Sequence, residues 1–111
     1  MRTYNYAYSF QSMHIVSRKK ILEFAEIHAD AADSLDAWYR VAKSAEWVNL
    51  VNVRETYPAA DIVSNFTVFN IKGNDYRLIT SIRYVTQRIY IKYVLTHTEY
   101  NKDKWKDDPY Y

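Results

Sequence analysis

Apolar residues follow two different rhythms along this chain. In the first half they recur every three or four positions: Ile21, Leu22, Phe24, Ala25 and Ile27, then Leu35, Trp38, Tyr39 and Ala42. That spacing predicts two amphipathic helices, at about 18–27 and about 31–44. Ser17 stands where a helix N-cap belongs, and the short link between the helices predicts an antiparallel pair. Before them, "MHIVS" at 13–17 reads as a short strand. After them, "NVRETYPAAD" is a connector with room for one helical turn before Pro58 stops it.

From Phe66 the chain reads as extended. "FTVFNIK", "YRLITSIRY" and "RIYIKYVLTH" are rich in β-branched and aromatic residues and predict three strands. Gly73, the single glycine of the 111 residues, lies between the first two. Gly73-Asn74 is therefore expected to form a two-residue hairpin loop, where positive φ favours glycine. This loop sets a register: Ile71 faces Tyr76, Asn70 faces Arg77, Phe69 faces Leu78 and Val68 faces Ile79. Alternate pairs point to opposite sides. One side carries Ile71, Tyr76, Phe69 and Leu78; the other carries Lys72, Asp75, Asn70 and Arg77. A second two-residue turn at Thr86-Gln87 would set Ile82 against Ile91, Leu78 against Leu95, Thr96 beside Arg77 and Lys92 beside Ser81. The expected fold class is α+β. Two N-terminal helices pack on one face of a mainly antiparallel sheet, and the other face is a basic platform.

Composition narrows the class. A length of 111 residues with 49% hydrophobic content suits one domain with one modest core. There is no cysteine, which removes disulfides and thiolate metal sites and fits a reducing cytoplasm. No apolar run approaches the roughly 18 residues of a membrane span, so no membrane association is expected. Charge is uneven. Residues 1–66 hold seven lysines and arginines against eight acids, whereas 67–111 hold eight against five. A basic second half hints at an anionic partner, although a solvated charged face has the same composition.

The register brings candidate chemistry together. Lys72 and Arg77 lie near one end of the platform, and the last strand leaves through "THTEYNKDK", which contains His97 and Tyr100. Lys, Arg, His and Tyr at one corner can cleave RNA without a metal or other cofactor. A base takes the ribose 2′-hydroxyl proton, cations stabilise the phosphorane, and an acid protonates the leaving 5′-oxygen. Imidazole is suited to proton transfer near neutrality, and guanidinium matches phosphate with two parallel donors. Blander roles exist for the same residues: lysine and aspartate flanking a turn commonly form an ion pair. The three histidines, His14, His28 and His97, are scattered and lack metal-ligand spacing.

"MHIVSRKKILEF", "LDAWYRVAKSAEW", "VFNIKGNDYRLI" and "VLTHTEYNK", in this order, make the stretch from Met13 to Lys104 resemble HigB-type toxins of the RelE superfamily. The resemblance implies a RelE-like fold and a small ribonuclease that cleaves mRNA, often on the ribosome, and arrests growth. It implies neutralisation by a cognate helix-turn-helix, HigA-type antitoxin, giving a toxin–antitoxin hetero-oligomer. Carried over, it points to Lys72, Arg77, His97 and Tyr100 as catalytic. Asn70, Lys92, Lys102 and Lys104 are expected to bind RNA. Two positions depart from the family pattern. Leu95 stands where glycine usually precedes the Thr-His pair, and Asn101 where aspartate usually follows the tyrosine. The rival reading is a ParE-type toxin, which shares the architecture, inhibits a topoisomerase and cleaves nothing; a noncatalytic ribosome- or RNA-binding module is a further alternative. Because the resemblance starts at Met13, residues 1–12 are expected to be an extension to a single domain at 13–111. In that extension Tyr4, Tyr6, Tyr8 and Phe10 alternate as a strand would.

Overall fold

Strands β3 (Phe66–Ile71), β4 (Tyr76–Arg83) and β5 (Arg88–Thr96) form the antiparallel centre of a five-stranded sheet. The computed structural model describes residues 12–111, so the expected extension lies outside the described residues as far as residue 11. All four pairs expected between β3 and β4 are observed. Their loop is longer than expected: residues 72–75 lie between the strands, and positive φ falls on Lys72 (51°) and Gly73 (64°), not on Asn74. The Asp75 N–H donates to the Lys72 carbonyl at 3.2 Å. The lengthening is symmetric about the turn, which is why the register is unaffected.

The second hairpin departs further. Its loop is also four residues, 84–87, so Ile82 faces Ile89 rather than Ile91. That shift of two leaves the faces unchanged. A β-bulge then intervenes: Thr80 faces Ile91 but Ile79 faces Tyr93, which leaves Lys92 without an opposite residue. One extra residue flips every side chain beyond it. Leu78 therefore faces Val94, Arg77 faces Leu95 and Tyr76 faces Thr96.

Two short edge strands complete the sheet in the order β1-β5-β4-β3-β2. β1 (His14–Val16) runs parallel to β5, and β2 (Asp61–Val63), which has no counterpart among the expected strands, runs antiparallel to β3. Helices α1 (Arg18–Ile27) and α2 (Ala32–Ser44) occupy the expected spans, with a 3-10 turn at Ala29–Ala31 between them, but Leu22 and Ile27 of α1 are exposed instead of joining Ile21 on the buried face. Ser17 does not cap α1 with its side chain; its backbone is left-handed, with φ of 71°. Two helical turns, rather than one, occupy the connector as α3 (Leu50–Thr56). The Asn49 side chain caps α3 by accepting from the Asn52 N–H.

Ile21, Leu35, Trp38 and Ala42 on the helices meet Phe69, Ile71, Leu78, Ile89 and Ile91 on the sheet in one buried cluster. The Trp38 ring meets Phe69 edge-on at 5.3 Å. Each fully buried large side chain contributes about 1.5–3 kcal/mol, so this interface is the main source of stability.

The opposite face is not the continuous basic platform that parity suggests. Phe66, Val68 and Ile79 are buried there under Trp105, joined by Tyr93, Leu95, Tyr100 and Tyr111. The cover comes from the C-terminus: α4 (His97–Asn101) and a 3-10 turn at Lys104–Asp107. It is pinned by Asp108, whose carboxylate accepts from the Tyr93 hydroxyl at 2.6 Å and the Tyr110 N–H at 2.8 Å and pairs with Lys92 at 3.3 Å. Val68 and Ile79 are apolar on the side facing away from α1 and α2, so they too require burial.

Candidate active site

At the end of β5 the chain turns into α4, and a capping box fixes the corner. Thr96 Oγ1 accepts from the Glu99 N–H at 3.1 Å, while the Thr96 N–H donates to Glu99 Oε1 at 2.9 Å. The Thr-x-x-Glu spacing in "THTE" carries this signal, although the sequence reading treats the segment as a strand exit. His97 becomes the first helical residue and Tyr100 follows on the same side three positions later. The His97 N–H donates to the Asp75 carbonyl at 3.0 Å, fastening the helix start to the β3–β4 loop. His97 thus lies across from Asp75, one place from the expected Tyr76: the two-residue shift of the second hairpin and the one-residue bulge act in opposite directions and leave a net offset of one.

Asn74 is the hub of the site. Its carbonyl accepts from Arg77 Nη1 at 2.9 Å and lies 3.0 Å from His97 Nδ1. Arg77 Nη1 also donates to the Tyr76 carbonyl at 3.2 Å, and Arg77 Nη2 is 3.3 Å from His97 Nδ1. A carbonyl only accepts and a guanidinium only donates, so one ring nitrogen cannot serve both. The shorter contact assigns the proton to Nδ1, donating to Asn74. In the neutral ring Nε2 then carries the lone pair, and among the described residues it has no hydrogen-bond partner.

Aromatic stacking supports this corner. Tyr100 stacks on Trp105 at 5.2 Å and 15°, and the Trp105 indole N–H donates to the Tyr100 carbonyl. The Arg77 guanidinium stands 5.3 Å from the centre of the Tyr100 ring, close enough for a cation–π contact. Trp105, Tyr100 and Arg77 form a stack whose cationic end lies beside His97.

Lys72 does not join them. Its ammonium pairs with Asp30 at 2.8 Å and more loosely with Asp75 at 3.7 Å. The Tyr76 hydroxyl donates to the other Asp30 oxygen at 2.6 Å. These bonds, that of Lys72 first, hold the Asp30 carboxyl below its usual range, and the same ion pair raises the Lys72 ammonium. The ion pair anticipated for Lys72 and Asp75 is thus present but secondary. Of the four expected catalytic residues, the structure gathers Arg77, His97 and Tyr100.

The expected RNA contacts also divide. Asn70 is exposed directly opposite Arg77. Lys102 and Lys104 are exposed and have no carboxylate partner among the described residues. Lys92 is engaged by Asp108, so it serves the C-terminal cover before any ligand. Asn74, Asp30 and Trp105 escape the sequence reading. Asn74 acts through its carbonyl, which no side-chain pattern announces, while Asp30 and Trp105 meet their partners only in the folded chain.

Known proteins resemble this chain over most of its length. A family model described as HigB toxin, RelE-like toxic component of a toxin-antitoxin system, matches residues 31–103. The mRNA interferase HigB of Escherichia coli O6:H1 (strain CFT073) is 30% identical over 93 residues, spanning 81% of this chain and 90% of that protein. The mRNA interferase toxin HigB of Escherichia coli K12 is 25% identical over 92 residues, spanning 80% and 88%. An mRNA interferase HigB of Shigella flexneri matches to the same extent.

Proposed function

Because this chain belongs to the HigB family of RelE-like toxic components of toxin–antitoxin systems, we propose that it is an endoribonuclease that cleaves mRNA on the ribosome without a metal ion. The relatives' name, mRNA interferase, supports the substrate. One observation carries the chemistry: His97 is held through Nδ1 by the Asn74 carbonyl, beside Arg77, with Nε2 left for proton transfer. The 2′-oxygen attacks phosphorus, its proton leaves, the bond from phosphorus to the 5′-oxygen breaks, and that oxygen is protonated. The products are a 2′,3′-cyclic phosphate and a 5′-hydroxyl. His97 Nε2 transfers the proton and Arg77 stabilises the phosphorane. Tyr100 positions Arg77 through its ring. Lys72, held by Asp30, acts at longer range; Asn70, Lys102 and Lys104 receive the flanking strand.

Family membership also implies an antitoxin partner, and we place a HigA-type helix-turn-helix protein in that role. Inducible expression followed by mapping of mRNA 5′ ends tests the activity. New ends should accompany growth arrest and should disappear in His97→Ala. Arrest with intact transcripts and an inhibited gyrase would instead support the topoisomerase-directed reading. Naked mRNA cut as fast as translated mRNA would refute the ribosome requirement.

A further inference from the structure

At the far end of the sheet three basic residues stand in a row. His14 faces Arg88 across β1 and β5, and Arg88 faces Arg83 across β5 and β4. Ile15, Ile82 and Ile89 pack into the helix-side core, so their neighbours His14, Arg83 and Arg88 face the other way. All three are exposed, and among the described residues neither arginine has a carboxylate partner within ion-pair distance. Like charges directly opposite each other destabilise a sheet, so this row is unfavourable unless an anion lies across it.

A cleft of about 650 Å³ adjoins the row, lined in part by Lys20, Ser81, Arg83, Tyr90, Lys92 and Tyr110. Lys20 donates to the Lys92 carbonyl at 3.1 Å and has no carboxylate partner among the described residues. Lys92 is neutralised by Asp108. Lys20, Arg83 and Arg88 therefore contribute uncompensated charge, and Tyr90 and Tyr110 supply aromatic surface. Cations flanking aromatic rings suit a single strand, whose phosphates pair with the charges while its bases stack. Arg77 and Arg83 share the same face of β4, six residues apart, or about 20 Å. Trp105, packed over Ile79, lies between them and makes them separate sites.

We propose that the His14–Arg88–Arg83 row and its cleft form a second site for single-stranded RNA, gripping the substrate away from the scissile phosphate. This rests on the ribonuclease reading for its substrate but not for its test. The full chain and its Arg83→Gln/Arg88→Gln variant are titrated with a single-stranded 2′-O-methyl oligonucleotide of roughly 12 nucleotides, which cannot be cleaved, at several salt concentrations. The variant should bind more weakly, with a salt slope shallower by about 1.4, or about 0.7 for each single substitution. Melting should be unchanged or raised, since like charges are removed at exposed positions. Equal slopes in parent and variant would overturn the proposal, as would a slope change seen only with duplex RNA. Absence of mRNA cleavage by the parent, with the slope difference intact, would sink the ribonuclease reading and leave this site standing.

Discussion

Replacing Arg77 by alanine should remove most cleavage while leaving the fold intact. In the folded chain the guanidinium donates to the Asn74 and Tyr76 carbonyls and stands over the Tyr100 ring. Near the surface each hydrogen bond contributes at most about 1 kcal/mol net, and the cation–π contact about 0.5–1 kcal/mol. The stability loss is then at most about 3 kcal/mol, below the roughly 5–15 kcal/mol of a typical domain. Loss of a preorganised group facing the phosphorane raises the barrier by about 2.7–4 kcal/mol, or roughly a hundred- to a thousandfold in rate. Single-turnover cleavage of translated mRNA, beside thermal melting of the same preparation, measures both quantities. A folded Arg77→Ala protein cleaving near the parent rate would remove Arg77 from the mechanism. Lys72→Ala is the comparison: Asp30 already holds that ammonium, so its loss should be much the smaller. Equal losses would mean that Lys72 leaves Asp30 to meet the phosphate.

Leu78, with no exposed surface, should lose about 2–5 kcal/mol of stability on change to alanine; denaturant titration showing under half the lower figure would mean that the core relaxes around the cavity. Gly73→Val should destabilise through backbone strain alone, because φ is 64° and an added Cβ meets nothing within 4 Å; the left-handed region costs about 1–2 kcal/mol for a side-chain-bearing residue, and an unchanged melting temperature would refute the strain. The Asp108 carboxyl is held below its usual 3.8 chiefly by the Tyr93 hydroxyl, so its stabilisation is whole above that pH and fades as pH falls through the lower folded value. The same bond pushes the Tyr93 hydroxyl from 10.0 up to about 12, so stability is whole below pH 10 and lost between there and 12. Tyr93→Phe should shrink both arms of a stability–pH profile followed by tryptophan fluorescence, and an unaltered profile would contradict the assignment. A chain starting at Met13 should still cleave mRNA in the end-mapping assay; loss of cleavage would show that the first twelve residues are required.

The local elements were legible because their causes are local. The three- and four-residue spacing of Ile21, Phe24, Leu35 and Trp38 produces α1 and α2 wherever they pack, and the extended runs around Gly73 allow one register between β3 and β4 that buries Phe69 and Leu78 together. The same logic brought Arg77 to the polar side of a central strand and His97 to the strand's end. The bulge at Lys92 has no such local cause. Asp108, sixteen residues later, engages that lysine and Tyr93 next to it, and the extra residue moves Leu95 from the helix side to the side beneath Tyr100 and Trp105. The C-terminal cover was hidden for a related reason: Val68 and Ile79 alternate correctly for a strand, and alternation does not say what will lie on either face. The fate of Lys72 was also a tertiary matter. Its partner Asp30 is 42 positions away, and the sequence alone offers Asp75, three positions away, as the nearer candidate. Short-range periodicity thus decided which segments are helix and strand, because hydrogen bonding and side-chain direction repeat within a few residues. Which cations are free for a substrate was decided by long-range contacts, because a charge is neutralised by whatever carboxylate the fold brings within a few ångströms.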